Sequence, residues 1–110
     1  MIIEEKIIQY LTTEKYSAYA EKPDVPSGEY GLVAKVSGSR TDYLRSANID
    51  IQVYSDSTYN ASVLNEKLID TMTNWNDENV SQCELIAEMI NNDLGNGVYS
   101  YQTTWRIYYY

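Results

Sequence analysis

Apolar residues recur at helical spacing in the first stretch of the chain. Glu4 and Glu5 stand in its first turn, where the positive end of the helix dipole favours acidic side chains. The apolar positions, three or four residues apart, are Ile3, Ile7, Tyr10 and Leu11. This pattern predicts a helix over residues 2–12 with one buried face.

A second helix is predicted in the middle of the chain. Asp56 and Ser57, either of which can act as an N-cap, precede a long run of helical periodicity. The apolar positions of that run are Ala61, Leu64, Leu68, Ile69 and Met72. The pattern predicts the main helix over about residues 57–74.

Four stretches alternate apolar and polar residues with the period of two that is typical of strands. The stretches are residues 30–37, 46–55, 83–90 and 98–110. Two polar, turn-rich segments lie between the members of each pair: "SGSRTDYLRS" at 37–46 and "NNDLGNGV" at 91–98. We therefore expect two hairpins, the first with a long tip that carries Arg40 and Arg45.

The order helix, hairpin, helix, hairpin predicts the fold class α+β. We expect a four-stranded antiparallel sheet, made of the two hairpins, with two helices packed on one face. Residues 1–110 are expected to form a single domain, and a short extended piece is expected at 16–20, before the proline-containing connection at 21–29. The residues expected to be buried together are Ile49, Ile51, Leu64, Leu68, Leu85, Trp105 and Ile107.

Composition and charge argue against several classes of function. The 110 residues include 16 acidic and 8 basic ones, which gives a net charge of -8, and they include 12 Tyr and no His. An acidic surface repels phosphate backbones, so specific nucleic-acid binding is not expected. No stretch has the length of a membrane span and the N-terminus lacks the features of a signal peptide, so we expect a cytosolic protein.

No motif for catalysis or for a cofactor is found. Without His, Cys83 cannot form a Cys/His catalytic pair or zinc site, and it is expected to be a buried structural residue. Residues 74–85 lack the Gly and the final Glu of a calcium loop. Gly95 and Gly97 lack the third glycine and the nearby base of a phosphate-binding loop. We therefore predict that the protein is not an enzyme and uses no cofactor or metal.

The stretch "ANIDIQVYSDSTYNASVLNEKLIDTM", residues 47–72, resembles the small tail terminator or tail completion proteins of long-tailed bacteriophages and prophages. It has a strand of the form apolar-x-Ile-x-Ile-Gln-x-Tyr, then Ser, then a helix with the pattern A-x-x-L-x-x-x-L/I. Gln52, Tyr54 and the helix start at Asp56 and Ser57 match this pattern in structural roles. The upstream "PSGEYGLVAKVSGSR" is similar to the family's strand that leads into a Gly-rich hairpin tip, and the order of elements agrees along nearly the whole chain.

The resemblance implies a structural virion protein that caps the polymerised tail tube as a ring, typically of six subunits. Such a ring ends tail polymerisation and presents the surface for head-tail joining. The implied partners are further copies of the chain, the tail tube protein and the head-tail connector, and the implied location is the virion tail or neck, with the host cytoplasm during assembly. DNA would pass through the ring, and an acidic lumen would repel it.

Two other functions fit the same sequence: another head-tail connector or joining protein, and an acidic inhibitor that mimics DNA and blocks a host enzyme. A mimic is expected to carry a regular double row of carboxylates, whereas the acidic residues here are scattered.

The candidate protein interface lies in the first hairpin tip and in the terminal "TTWRIYYY". In the family, the hairpin tip contacts tube subunits on assembly. In the last strand, alternation places Tyr101, Trp105, Ile107 and Tyr109 under the helices and leaves a Tyr and Arg cluster, enriched in interfaces, on the other face. The terminal Tyr run is a departure from the family pattern. The candidate interface residues are Arg40, Thr41, Asp42, Tyr43, Arg45, Arg106, Tyr108 and Tyr110.

Overall fold

A computed structural model describes residues 2–20, 29–41, 44–91 and 99–110. These residues form an α+β fold of two helices and five strands. In chain order the elements are α1 (Ile3–Thr13), β1 (Ala18–Tyr19), β2 (Tyr30–Thr41), β3 (Leu44–Ser55), α2 (Thr58–Thr73), β4 (Val80–Asn91) and β5 (Tyr99–Tyr109). Within the described ranges, neither helix is long and apolar enough to cross a bilayer.

The strands form one sheet in the order β1-β2-β3-β5-β4. The predicted hairpins are β2/β3 and β4/β5, and antiparallel pairing of β3 with β5 joins them. The predicted four-stranded antiparallel sheet is therefore incomplete, because β1 adds a fifth strand parallel to β2 at Gly31 and Leu32. A strand of two residues is too short to show alternation, so the sequence predicted only an extended piece at this point.

The core lies between one face of the sheet and both helices. Helix α1 contributes Ile3, Ile7 and Leu11, and helix α2 contributes Ala61, Leu68 and Met72. The central strands contribute every second residue: Ala47, Ile49, Ile51 and Val53 from β3, and Tyr101, Thr103, Trp105, Ile107 and Tyr109 from β5. The helices therefore pack on the same face of the sheet, as the alternation in the sequence predicted.

Helix α2 begins at the predicted cap. The Ser57 hydroxyl accepts a hydrogen bond of 3.0 Å from the backbone N–H of Asn60, which identifies Ser57 as the N-cap. The Asn60 side chain donates to the Asp56 carboxylate at 3.0 Å. This hydrogen bond lowers the pKa of Asp56.

Tyrosine hydroxyls join α1 to the C-terminal end of α2. The Tyr10 hydroxyl donates to the backbone carbonyl of Thr71 at 2.6 Å, and the Tyr10 ring stacks on Trp75 with centroids 5.3 Å apart. The Tyr16 hydroxyl lies 2.9 Å from the Thr71 hydroxyl. The rings fill apolar space while their hydroxyls find polar partners, which is one use of the many tyrosines.

A β-bulge in each of the two outer long strands makes two predicted alternations wrong in part. The register of β4 against β5 shifts between Leu85 and Ala87, so the residues beyond Ile86 exchange faces. A similar shift between Lys35 and Ser37 interrupts the pairing of β2 with β3. In each of these strands, the predicted assignment of alternate residues to one face is therefore correct only for the residues that precede the bulge.

Five of the seven residues predicted to be buried together are buried in the same cluster: Ile49, Ile51, Leu68, Trp105 and Ile107. Leu64 is half-buried and packs against that cluster. The prediction is wrong for Leu85, which is 41% exposed. Leu85 pairs with Trp105 and so lies on the helix side, but its strand is the outermost of the sheet.

The difference between Leu68 and Leu85 can be tested by truncation. Leu68→Ala is expected to lower the free energy of unfolding by about 2 to 5 kcal/mol, because it leaves a cavity under the sheet. The matched variant Leu85→Ala is expected to cost less than about 1 kcal/mol, because its side chain is already partly in water. Urea melts followed by circular dichroism measure both, and equal losses would contradict the described core.

Candidate assembly surface

The first candidate stretch consists mostly of paired strand, so the predicted long tip is much shorter than expected. Strand β2 continues to Thr41 and β3 starts at Leu44, with Arg40 opposite Arg45 across the hairpin. The prediction of a turn over residues 37–46 is therefore wrong. Polar residues can stay in a strand here because their side chains hydrogen-bond across it: Ser39 to Ser46 at 2.7 Å, and Asn48 to Ser37 at 2.7 Å.

The first candidate stretch lies directly beside the C-terminal strand, because Arg45 of β3 pairs with Tyr109 of β5. The two candidate stretches, separate in sequence, therefore meet at one end of the sheet. We call this end the arginine end and define it by Arg40, Arg45, Arg106, Tyr108 and Tyr110. It holds all three arginines of a chain whose net charge is -8.

Three other candidate residues cannot be assigned a contact in this surface. Asp42 and Tyr43 lie outside the described residues, and Thr41 is described only through its backbone, at the end of β2.

Arg45 organises the arginine end through two contacts with the C-terminus. Its guanidinium carbon lies 4.7 Å from the centroid of the Tyr109 ring, a cation–π arrangement. Its Nη2 donates to the backbone oxygen of Tyr110 at 3.2 Å. The backbone N–H of Tyr110 donates in turn to the carbonyl of Asn79 at 3.0 Å. The last residue is thus held through its backbone, although its side chain is 57% exposed.

Tyr108 and Tyr109 lie on opposite faces of the sheet, as predicted. Tyr109 is 2% exposed and belongs to the core. Tyr108 is half-buried on the opposite face, paired with Ser46 and Gln82, and Tyr110 extends past the end of β5. The Tyr run is therefore the end of a strand, with only part of its aromatic surface in contact with water.

Side-chain hydrogen bonds order the sheet face opposite the helices, which we call the open face. Gln52 donates to Gln102 at 2.8 Å, and the Thr104 hydroxyl donates to Asp50 at 2.8 Å. Further along, the Arg106 Nε donates to the Asn48 side chain at 3.4 Å. These contacts link β3 to β5 and satisfy polar groups that no described helix covers.

The open face ends in a groove at the arginine end. The groove has a volume of about 450 Å³, and its residues include Arg106 and Tyr108. The remaining lining residues are Ser37, Gly38, Ser39, Leu44, Arg45, Ser46 and Asn48. Its mixture of hydroxyls, an amide, guanidinium groups and one phenol suits a polar protein segment.

Edge strand β4 carries apolar side chains that the sequence prediction placed partly in the core. Leu85, Ile86, Met89 and Ile90 are each more than 40% exposed. The signal that could have shown this is the presence of large apolar residues on both faces of one strand. A strand buried on one face alternates instead, as β3 does.

The chemistry of Cys83 favours a structural role. The side chain is half-buried against the core, whereas the sequence predicted full burial. Burial, with a smaller contribution from the Glu84 carboxylate, raises the pKa of the Cys83 thiol to about 12. The thiol is therefore protonated at neutral pH and is a poor nucleophile. No group of three or more His, Cys, Asp or Glu side chains that could bind a metal ion occurs in the described ranges.

Comparisons with known proteins leave the chain unassigned. No protein-family model matches it, and no curated protein matches it significantly.

The raised pKa predicts that the Cys83 thiol is alkylated slowly in the folded protein. At pH 8, alkylation of Cys83 by iodoacetamide should be at least about a hundredfold slower in the native protein than in urea, because less thiolate is present. The same shift makes the free energy of unfolding depend on pH. Below pH 9 the thiol is protonated in both states and its contribution is fully present, and between pH 9 and about 12 stability falls because only the unfolded chain loses the proton. Cys83→Ser is the unlabelled control, and equal rates in both states would contradict the assignment.

Proposed function

We propose that this protein is a structural subunit of a phage tail, which closes the end of the tail tube as a ring of identical copies. The ring ends polymerisation of the tube and forms the surface to which the head connector binds. The observation that carries this proposal is the arginine end, where all three arginines of an acidic chain lie at the same end of the sheet as Tyr108 and Tyr110. The sequence resemblance supplies the class of assembly.

The arginine end has the composition of a protein interface. Tyr and Arg are enriched in interfaces, where they contribute a large share of the binding energy. Arg45 is already oriented by Tyr109 and by the backbone of Tyr110. Less side-chain freedom is then lost when a partner binds, which favours affinity.

The charge distribution supports contact with an acidic partner. The net charge of -8 makes a further copy of the chain such a partner for a basic end. The same net charge opposes binding to DNA, so a ring built from these subunits would let DNA pass without holding its phosphates.

The arrangement of acidic residues supports the ring over an inhibitor that mimics DNA. On the described part of the open face, the acidic residues are Asp50 and Glu84, and they lie among amides, hydroxyls and Arg106. Two isolated carboxylates do not reproduce the regular charge spacing of a phosphate backbone.

The proposal is tested with the double variant Tyr108→Ser and Tyr110→Ser. Deletion of the last three residues would also remove the buried Tyr109, so substitution is the cleaner change. The variant should keep its circular dichroism spectrum, but its self-association or its binding to polymerised tail tube protein should weaken by about tenfold or more. Sedimentation velocity and electron microscopy of capped tubes measure these two properties.

Tyr59→Ser is the matched control, since Tyr59 is 76% exposed on α2 and lies outside the arginine end. It should assemble like the wild type. A double variant that also assembles like the wild type would place the interface elsewhere, and an unfolded double variant would show that these tyrosines belong to the core. Tubes that continue to grow in the presence of wild-type protein would overturn the capping function itself.

A further inference from the structure

The sheet has two long outer edges without a partner strand among the described residues. Strand β4 is the last strand on one side, and its outer edge runs over residues 80–91. On the other side, β1 covers β2 only at Gly31 and Leu32, which leaves residues 33–41 uncovered. A long uncovered edge offers backbone N–H and C=O groups to any other strand, so natural proteins usually protect it.

The two edges carry opposite charges. Strand β2 contains Lys35 and Arg40 and no acidic residue, whereas β4 contains Glu84 and Glu88 and no basic residue. Each strand has 12 residues. Two β2 edges or two β4 edges would therefore repel each other, and a β2 edge would attract a β4 edge.

Both edges also expose apolar surface next to these charges. Val36 of β2 is 62% exposed, and Ile86 and Ile90 of β4 are 46% and 60% exposed. Strand β4 has neither the lysine nor the proline that usually keeps isolated edges apart, whereas β2 carries Lys35 beside Val36. The apolar groups would leave water if the two edges came together.

The strand directions allow these edges to meet in register. Because β2, β3, β5 and β4 alternate in direction across the sheet, β2 and β4 run antiparallel to each other. A second copy placed beside the first in the same orientation thus sets its β2 antiparallel to the first copy's β4. The helices of both copies then lie on the same side of one continuous sheet.

Three of the four charged side chains lie on the helix side of the sheet, whereas Glu84, which pairs with Arg106, lies on the open face. Lys35 pairs with Ile49 and Glu88 pairs with Thr103, and both of these partners face the core. Arg40 lies on the same side through its pairing with Arg45, which stacks on Tyr109. Lys35 or Arg40 of one copy would therefore meet Glu88 of the next copy on the helix side of the joined sheet, because the two basic residues are too far apart along the strand to meet it together.

We propose that β4 of one copy pairs antiparallel with β2 of the next copy, so that the sheet continues from subunit to subunit. The contact is head-to-tail, because it joins two different edges, and it covers both edges of every subunit except at open ends. The twist between neighbouring strands rotates each copy relative to the last. Closure into a ring rests on the proposed function, whereas the pairing of the edges rests only on the structure.

A charge exchange between two variants tests the pairing. The first variant is Lys35→Glu with Arg40→Glu, which makes both of its edges acidic. The second is Glu84→Lys with Glu88→Gln, which makes both of its edges basic. Gln at position 88 keeps the acceptor for the Asn65 amide, which donates to Glu88 at 2.6 Å. Asn65 is buried, so this hydrogen bond is preserved to keep the fold intact.

Each variant alone should self-associate at least about tenfold more weakly than the wild type, and an equimolar mixture should recover association, because acidic edges then face basic edges. Sedimentation velocity over a range of concentrations measures this. Hydrogen exchange should also show that the amides of residues 33–41 and 80–91 become protected together as the wild type associates.

The charge-matched control is Lys15→Glu with Lys67→Glu, which changes the net charge as the first variant does, at exposed positions away from both edges. It should associate like the wild type. The edge pairing is overturned if the two variants associate normally, if their mixture does not recover, or if the wild type stays monomeric up to about 1 mM. Because Arg40 also belongs to the arginine end, recovery of association in the mixture is the result that distinguishes edge pairing from the interface of the proposed function. Capping of tail tubes is tested separately and can succeed or fail in each of these cases.

Discussion

The antiparallel pairing of β3 with β5 is the interaction on which the rest of the molecule depends. It runs without a bulge from the pair Arg45–Tyr109 to the pair Ser55–Tyr99, and it aligns the two rows of side chains that form the sheet's part of the core. A slip of one residue would turn Asn48, Asp50 and Gln52 towards the helices. The register is therefore enforced by burial on one face and by cross-strand hydrogen bonds on the other.

The same pairing creates the surfaces to which we assign function. Because the register ends at Arg45 and Tyr109, two stretches more than sixty residues apart become one basic, aromatic end of the sheet, with Arg40 and Arg45 on the helix side and Arg106 and Tyr108 on the open face. Because β3 and β5 occupy the centre, β2 and β4 are left outside, where their bulges and exposed apolar residues are tolerated. Burial and cross-strand pairing thus fix the positions of the central strands β3 and β5, whereas the outer strands β2 and β4 are available for contact with other chains.

Opposite charges on the two outer edges would give the proposed contacts a direction. A monomer with one acidic edge and one basic edge favours unlike contacts and disfavours two-fold dimers, which would place like charges together. Salt should weaken such recognition, since the charges are exposed, while the apolar edge residues and backbone hydrogen bonds would respond less. Assembly of this kind suits a subunit that must stay separate until it meets its neighbours.

Residues in regular elements with one buried face were predictable from the sequence by itself. Both helices, the central strands and most of the core could be predicted in this way. The helical spacing in α1 and α2, the Ser57 cap and the alternation in β3 and β5 each depend on local backbone geometry and on which side chains are buried. The candidate residues at Arg40 to Arg45 and at Arg106 to Tyr110 were also identified, but as two separate stretches. Only the tertiary structure decided that β3 meets β5, that β1 joins in parallel and that β2 and β4 bulge at Val36 and Ile86. The physical reason is that alternation in the sequence shows only which face of a strand is buried. Which strands pair with each other, and whether an outer strand is covered, depends on contacts between residues far apart in the chain.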